Sequence, residues 1–195
     1  MGQYHYVCNL DRKEFLHPHR MGDGFKLLEF GCSGDGVMTG LAILLATSNG
    51  RGGGDLSLDA DRRGELIAEY VVGRWAGDRI AIIGDYHEPG DVPGFTDKLV
   101  AETGGYNPDA TSDEDRYSNP LVGDVPWNQT IKGTKDTPRL DLGWIDISDV
   151  VIEAMSHDSY LKQSIEKSQT LWGGARKPIS KLDDNGQIIR LVQNM

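Results

Sequence analysis

Apolar and polar positions alternate over residues 3–9: Tyr4, Tyr6 and Cys8 share one parity, and Gln3, His5, Val7 and Asn9 the other. A period of two predicts a half-buried strand. Asn9 to Glu14 is polar, and Phe15-Leu16 resumes the apolar character. A hairpin is expected there, with Asp11-Arg12-Lys13-Glu14 near its tip. Pro18 interrupts regular pairing. Gly22-Asp23-Gly24 marks a turn from which Asp23 is expected to cap a short helix over residues 25–30, ended by Gly31. Residues 37–47 are rich in Ala and Leu and predict a buried helix, with Gly40 allowing close packing and Asn49-Gly50 as the stop. Leu66, Ile67, Tyr70 and Val71 recur at helical spacing, which predicts a helix over 61–71 broken by Gly73. Trp75-Ala76-Gly77-Asp78 reads as a turn, and residues 79–84 as an Ile-rich strand.

From about 92 to 143 the pattern dissolves into Pro, Gly, Asn, Asp, Ser and Thr with scattered apolar residues, which predicts a loop-rich, mobile excursion. Order resumes at Trp144-Ile145-Asp146-Ile147. Ser148 or Asp149 is expected to cap a helix that continues to about 167 after a bend near 157–159. Asp183-Asp184-Asn185-Gly186 predicts a C-terminal hairpin turn. The expected fold is a single α+β domain over 1–195: a small, mainly antiparallel sheet containing residues 3–9 and 79–84, with helices packed on one side. A three-layer α/β arrangement is the alternative.

Composition sharpens this in two places. Glycine accounts for 25 of 195 residues, well above the usual ~7%, which points to many tight turns. Twenty Lys and Arg stand against 30 Asp and Glu, a net charge of −10 that opposes non-specific nucleic-acid binding and anionic membranes. The N-terminal residues 1–6 lack a basic region and an apolar core. With only Cys8 and Cys32 as thiols, this predicts a cytoplasmic protein with both reduced. No apolar run approaches bilayer length.

Three clusters could carry chemistry. His17-Pro18-His19 would place two imidazoles on one face of an extended segment, where Asp85 or His87 could complete a metal site. The alternative is one structural and one exposed histidine, and no metal is assigned. Arg51-Gly52-Gly53-Gly54-Asp55 could turn consecutive N–H groups and the Arg51 fork onto an anion, although it follows a helix where phosphate loops follow strands. Arg74-Trp75-Ala76-Gly77-Asp78-Arg79 sets an indole between two arginines beside an aspartate. It could stack and ion-pair a planar ligand, or Trp75 could plug the core while Asp78 closes the turn and Arg79 pairs with Asp85 or Glu29.

Gly2-Gln3-Tyr4, Asn9-Leu10-Asp11, Pro18-His19, residues 22–29, Arg51 to Asp55, the run from Gly73 to Ile80, and Gly84-Asp85-Tyr86 occur in one order. Together they resemble a family of bacterial, phage and fungal proteins. The resemblance covers mainly residues 2–91 and brings no established activity, so it implies no catalytic role or cofactor. Two functional readings follow. In one, a small-molecule-binding protein or enzyme, a hydrolase or transferase on a phosphorylated or nucleotide-like ligand, uses Arg51, Asp55, Arg74, Trp75, Asp78 and Arg79 for binding. His19 and Asp85 would then act as acid and base. In the preferred reading, the chain is a non-enzymatic interaction protein of phage or mobile-element origin that binds a protein partner, because every cluster has an architectural reading as well.

Overall fold

A computed structural model describes residues 4–49, 56, 62–84, 145–158, 160–163, 165–166 and 180–190. Arg51, Asp55, Asp85, His87 and the 92–143 excursion lie outside the described residues.

The N-terminal hairpin forms as its pattern requires. Strands β1 (His5–Asn9) and β2 (Glu14–Leu16) pair antiparallel with Val7 opposite Leu16 and Cys8 opposite Phe15. The Asn9 side chain fixes the tip: its Oδ1 accepts the N–H groups of Asp11 and Arg12 at 3.0 and 2.9 Å. Such local bonding makes Asn a turn former. After β2, a 3-10 turn over Pro18–Met21 replaces the extended segment expected at the two histidines. Pro18 occupies its first turn, where the missing N–H costs nothing and the fixed φ favours the helix.

Helix α1 (Leu27–Gly31) and helix α2 (Val37–Leu45) follow. Asp23 does not cap α1 as expected. Lys26 is the N-cap of α1, and the Glu29 carboxylate accepts its backbone N–H at 3.1 Å. Asp23 instead reaches α2, accepting the Val37 N–H at 2.7 Å. A Cβ on Gly36 would collide with that carboxylate, so glycine at 36 is what allows the long-range cap. Gly40 has the role its place in the pattern suggests: a Cβ there would meet Met21 Cε at 2.5 Å and Val151 Cγ1 at 2.9 Å.

Helix α3 (Arg62–Val71) ends at Gly73, whose φ of +72° suits glycine. Strand β3 (Ile80–Gly84) returns antiparallel to β1 along its whole length, with Tyr6 opposite Ile83. Strand β4 (Ile145–Asp146) joins β2 in parallel, giving the order β3-β1-β2-β4. Helix α4 (Ser148–His157) leaves it directly. Neither Ser148 nor Asp149 caps α4 by its side chain, because Ile147 is the N-cap residue. The Asp146 Oδ1 accepts the Ser148 N–H at 2.9 Å, and the Ser148 hydroxyl accepts the His17 N–H at 2.7 Å. Ser148 thus ties α4 to the end of β2. Residues 160–163 are again helical after the bend, started by Asp158, whose Oδ1 accepts the N–H of Tyr160 and Leu161. Strands β5 (Ser180–Leu182) and β6 (Ile188–Arg190) form the C-terminal hairpin.

The chain is α+β, and its sheet is mainly antiparallel. Val7 and Leu16, on one face of the sheet, join the core of the helices: Leu44 of α2, Ile67 and Val71 of α3, and Val151, Ala154 and Met155 of α4, all 0–1% exposed. On the opposite face Tyr6, Cys8, Phe15 and Ile83 are covered by Phe25, from the segment before α1. Both thiols are free; Cys8 is buried, which pushes its pKa up, and Cys32 is exposed. Among the described residues no helix is long and apolar enough to cross a membrane.

Candidate functional site

The arginine–tryptophan run folds onto the hairpin tip. Gly73 and Gly77, both at positive φ, bracket the turn and bring it against residues 9–14. Trp75 is fully buried and donates its indole N–H to Glu14 Oε2 at 2.8 Å. Arg74 grips the same carboxylate, Nη2 to Oε1 at 2.6 Å and Nε to Oε2 at 2.9 Å, while its guanidinium lies 3.8 Å over the Tyr70 ring. The Asp78 backbone N–H closes the turn onto the Trp75 carbonyl at 3.1 Å, but its carboxylate accepts no N–H of that turn. Its Oδ2 accepts Asn9 Nδ2 at 2.8 Å and Arg12 Nε at 2.7 Å, bonds that hold its pKa below the usual carboxylate range. Arg79 pairs with Asp11 and not with Glu29: Asp11 accepts its Nη2 at 2.6 Å and its backbone N–H at 2.7 Å, while Asp85 lies outside the described residues. Glu29 lies beside Lys26 instead.

Arg74, Trp75, Asp78 and Arg79 are therefore brought together, and each is bonded to the hairpin. His19 is elsewhere. Its ring packs on Phe25 with centroids 3.9 Å apart, in the layer on the other face of the sheet, and the His17 and His19 rings are 6.3 Å apart. His17 is buried and His19 half-buried. Among the described residues no cluster of three or more His, Cys, Asp or Glu could hold a metal.

Sequence reasoning passed over Glu14 as one more charge at a hairpin tip. The available signal was parity: Glu14 is two residues before Leu16 on a strand, so an inward Leu16 puts the carboxylate inward, where it needs a partner. It also passed over the ion cluster of Arg20, Asp146 and Asp149. Arg20 Nε lies 3.1 Å from Asp146 Oδ2, and its Nη1 lies 3.7 Å from Asp149, with Arg20 and Asp146 each 6% exposed. The Arg20 Nε approach is an ion pair without hydrogen-bond alignment. Burial consequently outweighs the attraction and pushes the Asp146 carboxyl up to about 6. A carboxyl raised from 3.8 binds its proton more tightly in the folded state. Its contribution to stability is therefore greatest below pH 3.8 and declines as pH rises through about 6. Carbon-13 carboxyl NMR should give Asp146 a midpoint near 6. A midpoint below 3.8 would mean that Arg20 prevails over desolvation.

Among the described residues, hollows border the helices. One is an apolar groove of about 710 Å³ beside α2, lined by Met38, Ala42, Ile43, Ala46, Leu56 and Leu161. Tyr160, 77% exposed, stands on its rim. Asn49 braces the wall by two hydrogen bonds to the Leu56 backbone, Oδ1 accepting N–H at 2.9 Å and Nδ2 donating to the carbonyl at 3.0 Å. The described lining carries one carboxylate, Asp158, and no Lys or Arg. Another hollow, about 460 Å³, is polar and lies between the end of α3, Arg12, Arg74 and the β5–β6 turn.

No protein-family model, curated protein or solved structure matches this chain.

Proposed function

We propose that this chain is a non-enzymatic interaction protein that receives an apolar side chain of a basic protein partner in the groove beside α2. The observation that carries the reading is the groove itself: exposed Ala42 and half-buried Met38, Ile43 and Ala46 form an apolar surface that an exposed Tyr160 overhangs. Aromatic residues on the rim of an apolar pocket supply contact area at low entropic cost and recur at binding hot spots. Asp158 at the groove and the chain's net charge of −10 favour Lys or Arg flanking the anchor. The engagement of Arg74, Asp78 and Arg79 by Glu14, Asn9, Arg12 and Asp11 supports an architectural role for that cluster. The family resemblance is what supports a phage or mobile-element origin.

A random-peptide library selected on the folded protein should enrich an aromatic or aliphatic anchor flanked by basic residues. Those peptides should lose binding at least tenfold to Ala42→Trp, which fills the groove from its exposed wall. Selected peptides that bind Ala42→Trp as tightly as the wild type would overturn the reading. The groove volume also lies within the ~300–1,000 Å³ typical of small-molecule sites. A small apolar ligand is accordingly the second reading. Native mass spectrometry separates the two: a retained mass above that of the polypeptide, lost in Ala42→Trp, favours the small ligand.

A further inference from the structure

The polar hollow points to a ligand that the groove does not explain. Arg12 and Arg74 both line it, and each is fixed from behind. Arg12 places Nε on Asp78, and Arg74 places Nε and Nη2 on Glu14. Among the described residues, both Nη atoms of Arg12 and Nη1 of Arg74 make no protein hydrogen bond. Guanidinium groups anchored in this way lose little freedom on meeting a ligand, and their remaining N–H groups suit a planar or tetrahedral oxyanion. Tyr70 forms the wall under the Arg74 guanidinium. Burial pushes its phenol up to about 12, so the hydroxyl is protonated at neutral pH. Asn185 and Gly186, on the β5–β6 turn, complete the lining.

The charges around the hollow narrow the ligand. Each arginine is balanced by its own carboxylate, and among the described residues the hollow contains one further acid, Glu69, one residue before Tyr70. Glu69 is exposed and makes no hydrogen bond or ion pair among the described residues. A dianion would be repelled by Glu69, whereas a molecule bearing one anionic and one cationic group would satisfy both sides. We propose that this hollow binds a small zwitterion, its carboxylate or phosphate on Arg12 and Arg74 and its ammonium on Glu69. A volume of about 460 Å³ suits a molecule of amino-acid size.

The test is an NMR titration of the full chain, reading the backbone amides of Gly73, Arg74, Asn185 and Gly186. The probes are free L-α-amino acids and the phosphodiester glycerophosphoethanolamine as zwitterions, acetate and inorganic phosphate as anions, and ethylamine as the cation. The expected result is saturable shifts of those amides by at least one zwitterion and none by ethylamine. Response to the amino acids identifies a carboxylate head, and response to glycerophosphoethanolamine a phosphate head. Arg12→Lys retains the charge facing Asp78 but removes the fork, and should weaken the zwitterion about tenfold. Glu69→Gln should weaken the zwitterion and strengthen acetate or phosphate. Absence of saturation by every zwitterion, equal binding of acetate and amino acids to the wild type, or indifference to Glu69→Gln would each overturn the proposal. Ala42→Trp, in the groove beside α2 and outside the lining of the hollow, should leave these titrations unchanged.

Discussion

Replacing Glu14 by Ala is expected to destabilise the protein by about 3–5 kcal/mol, at the lower end of that range, because it breaks a buried ion pair from one side. Glu14 is 3% exposed, and its two oxygens accept from Arg74 and from the Trp75 indole. Truncation leaves the indole N–H buried without an acceptor and removes the counter-charge of Arg74. The Arg74 side chain is 21% exposed and can recover part of its hydration, which is why the lower end applies. At roughly 2–4 °C per kcal/mol for a chain of this size, the melting temperature should fall by roughly 6–12 °C. Glu14→Gln should lose less, since an amide oxygen can still accept the indole N–H. In Glu14→Ala/Arg74→Ala the penalty should be smaller than the sum of the single losses, because residues sharing one network are not additive. A Glu14→Ala protein that melts with the wild type would mean that the carboxylate is dispensable and the hairpin is held by packing alone.

The second large effect is at Trp75. It is among the largest fully buried side chains and belongs to the cluster formed by Val7, Leu16, Leu44, Ile67 and Val71, where the sheet meets α2 and α3. Trp75→Ala leaves a cavity at that junction and should cost about 3–5 kcal/mol. Trp75→Phe retains most of the contact area but removes one of the two hydrogen bonds that Glu14 Oε2 accepts, leaving that from Arg74 Nε, so about 1.5–3 kcal/mol is expected for losing a bond to a charged acceptor. Denaturant unfolding followed by circular dichroism reads both. Equal losses for Phe and Ala would show that the hydrogen bond, and not the volume, carries the stabilisation. A loss below about 1 kcal/mol for Ala would remove Trp75 from the core.

Much of the fold was legible because it depends on local periodicity. Strand β1 within the alternating segment, the hairpin at Asn9–Glu14 and the strand ending at Gly84 each occur where the pattern put them. So do the stop at Gly73 and the C-terminal turn, which require a backbone conformation that glycine supplies. Strand β1 is, however, buried on both faces and not half-buried, because Phe25 covers the face opposite the helices. The capping residues were not legible. Asp23 looked like the cap of the helix just after it, yet its carboxylate crosses to Val37, and nothing at positions 23–30 encodes that distance. The two histidines were misplaced for a similar reason. Periodicity treats His17 and His19 as neighbours on a strand, whereas Pro18 starts a 3-10 turn that swings His19 onto Phe25.

The candidate sites divide in the same way. The sequence by itself established that Arg74, Trp75, Asp78 and Arg79 lie together on one glycine-bracketed turn, because five consecutive peptide units leave them nowhere else to go. It also set the net charge of −10. Only the tertiary structure decided what those side chains face. The antiparallel return of β3 along β1 carries the turn onto residues 9–14, where Asp11, Arg12 and Glu14 complete its ion pairs across 60 or more residues of chain. The groove and the polar hollow likewise depend on segments far apart in sequence, Leu56 with Leu161 and Arg12 with Asn185. Charge–charge and apolar contacts act through space, so a linear pattern identifies the groups that must find partners, while the packing of sheet, helices and turns selects the partners.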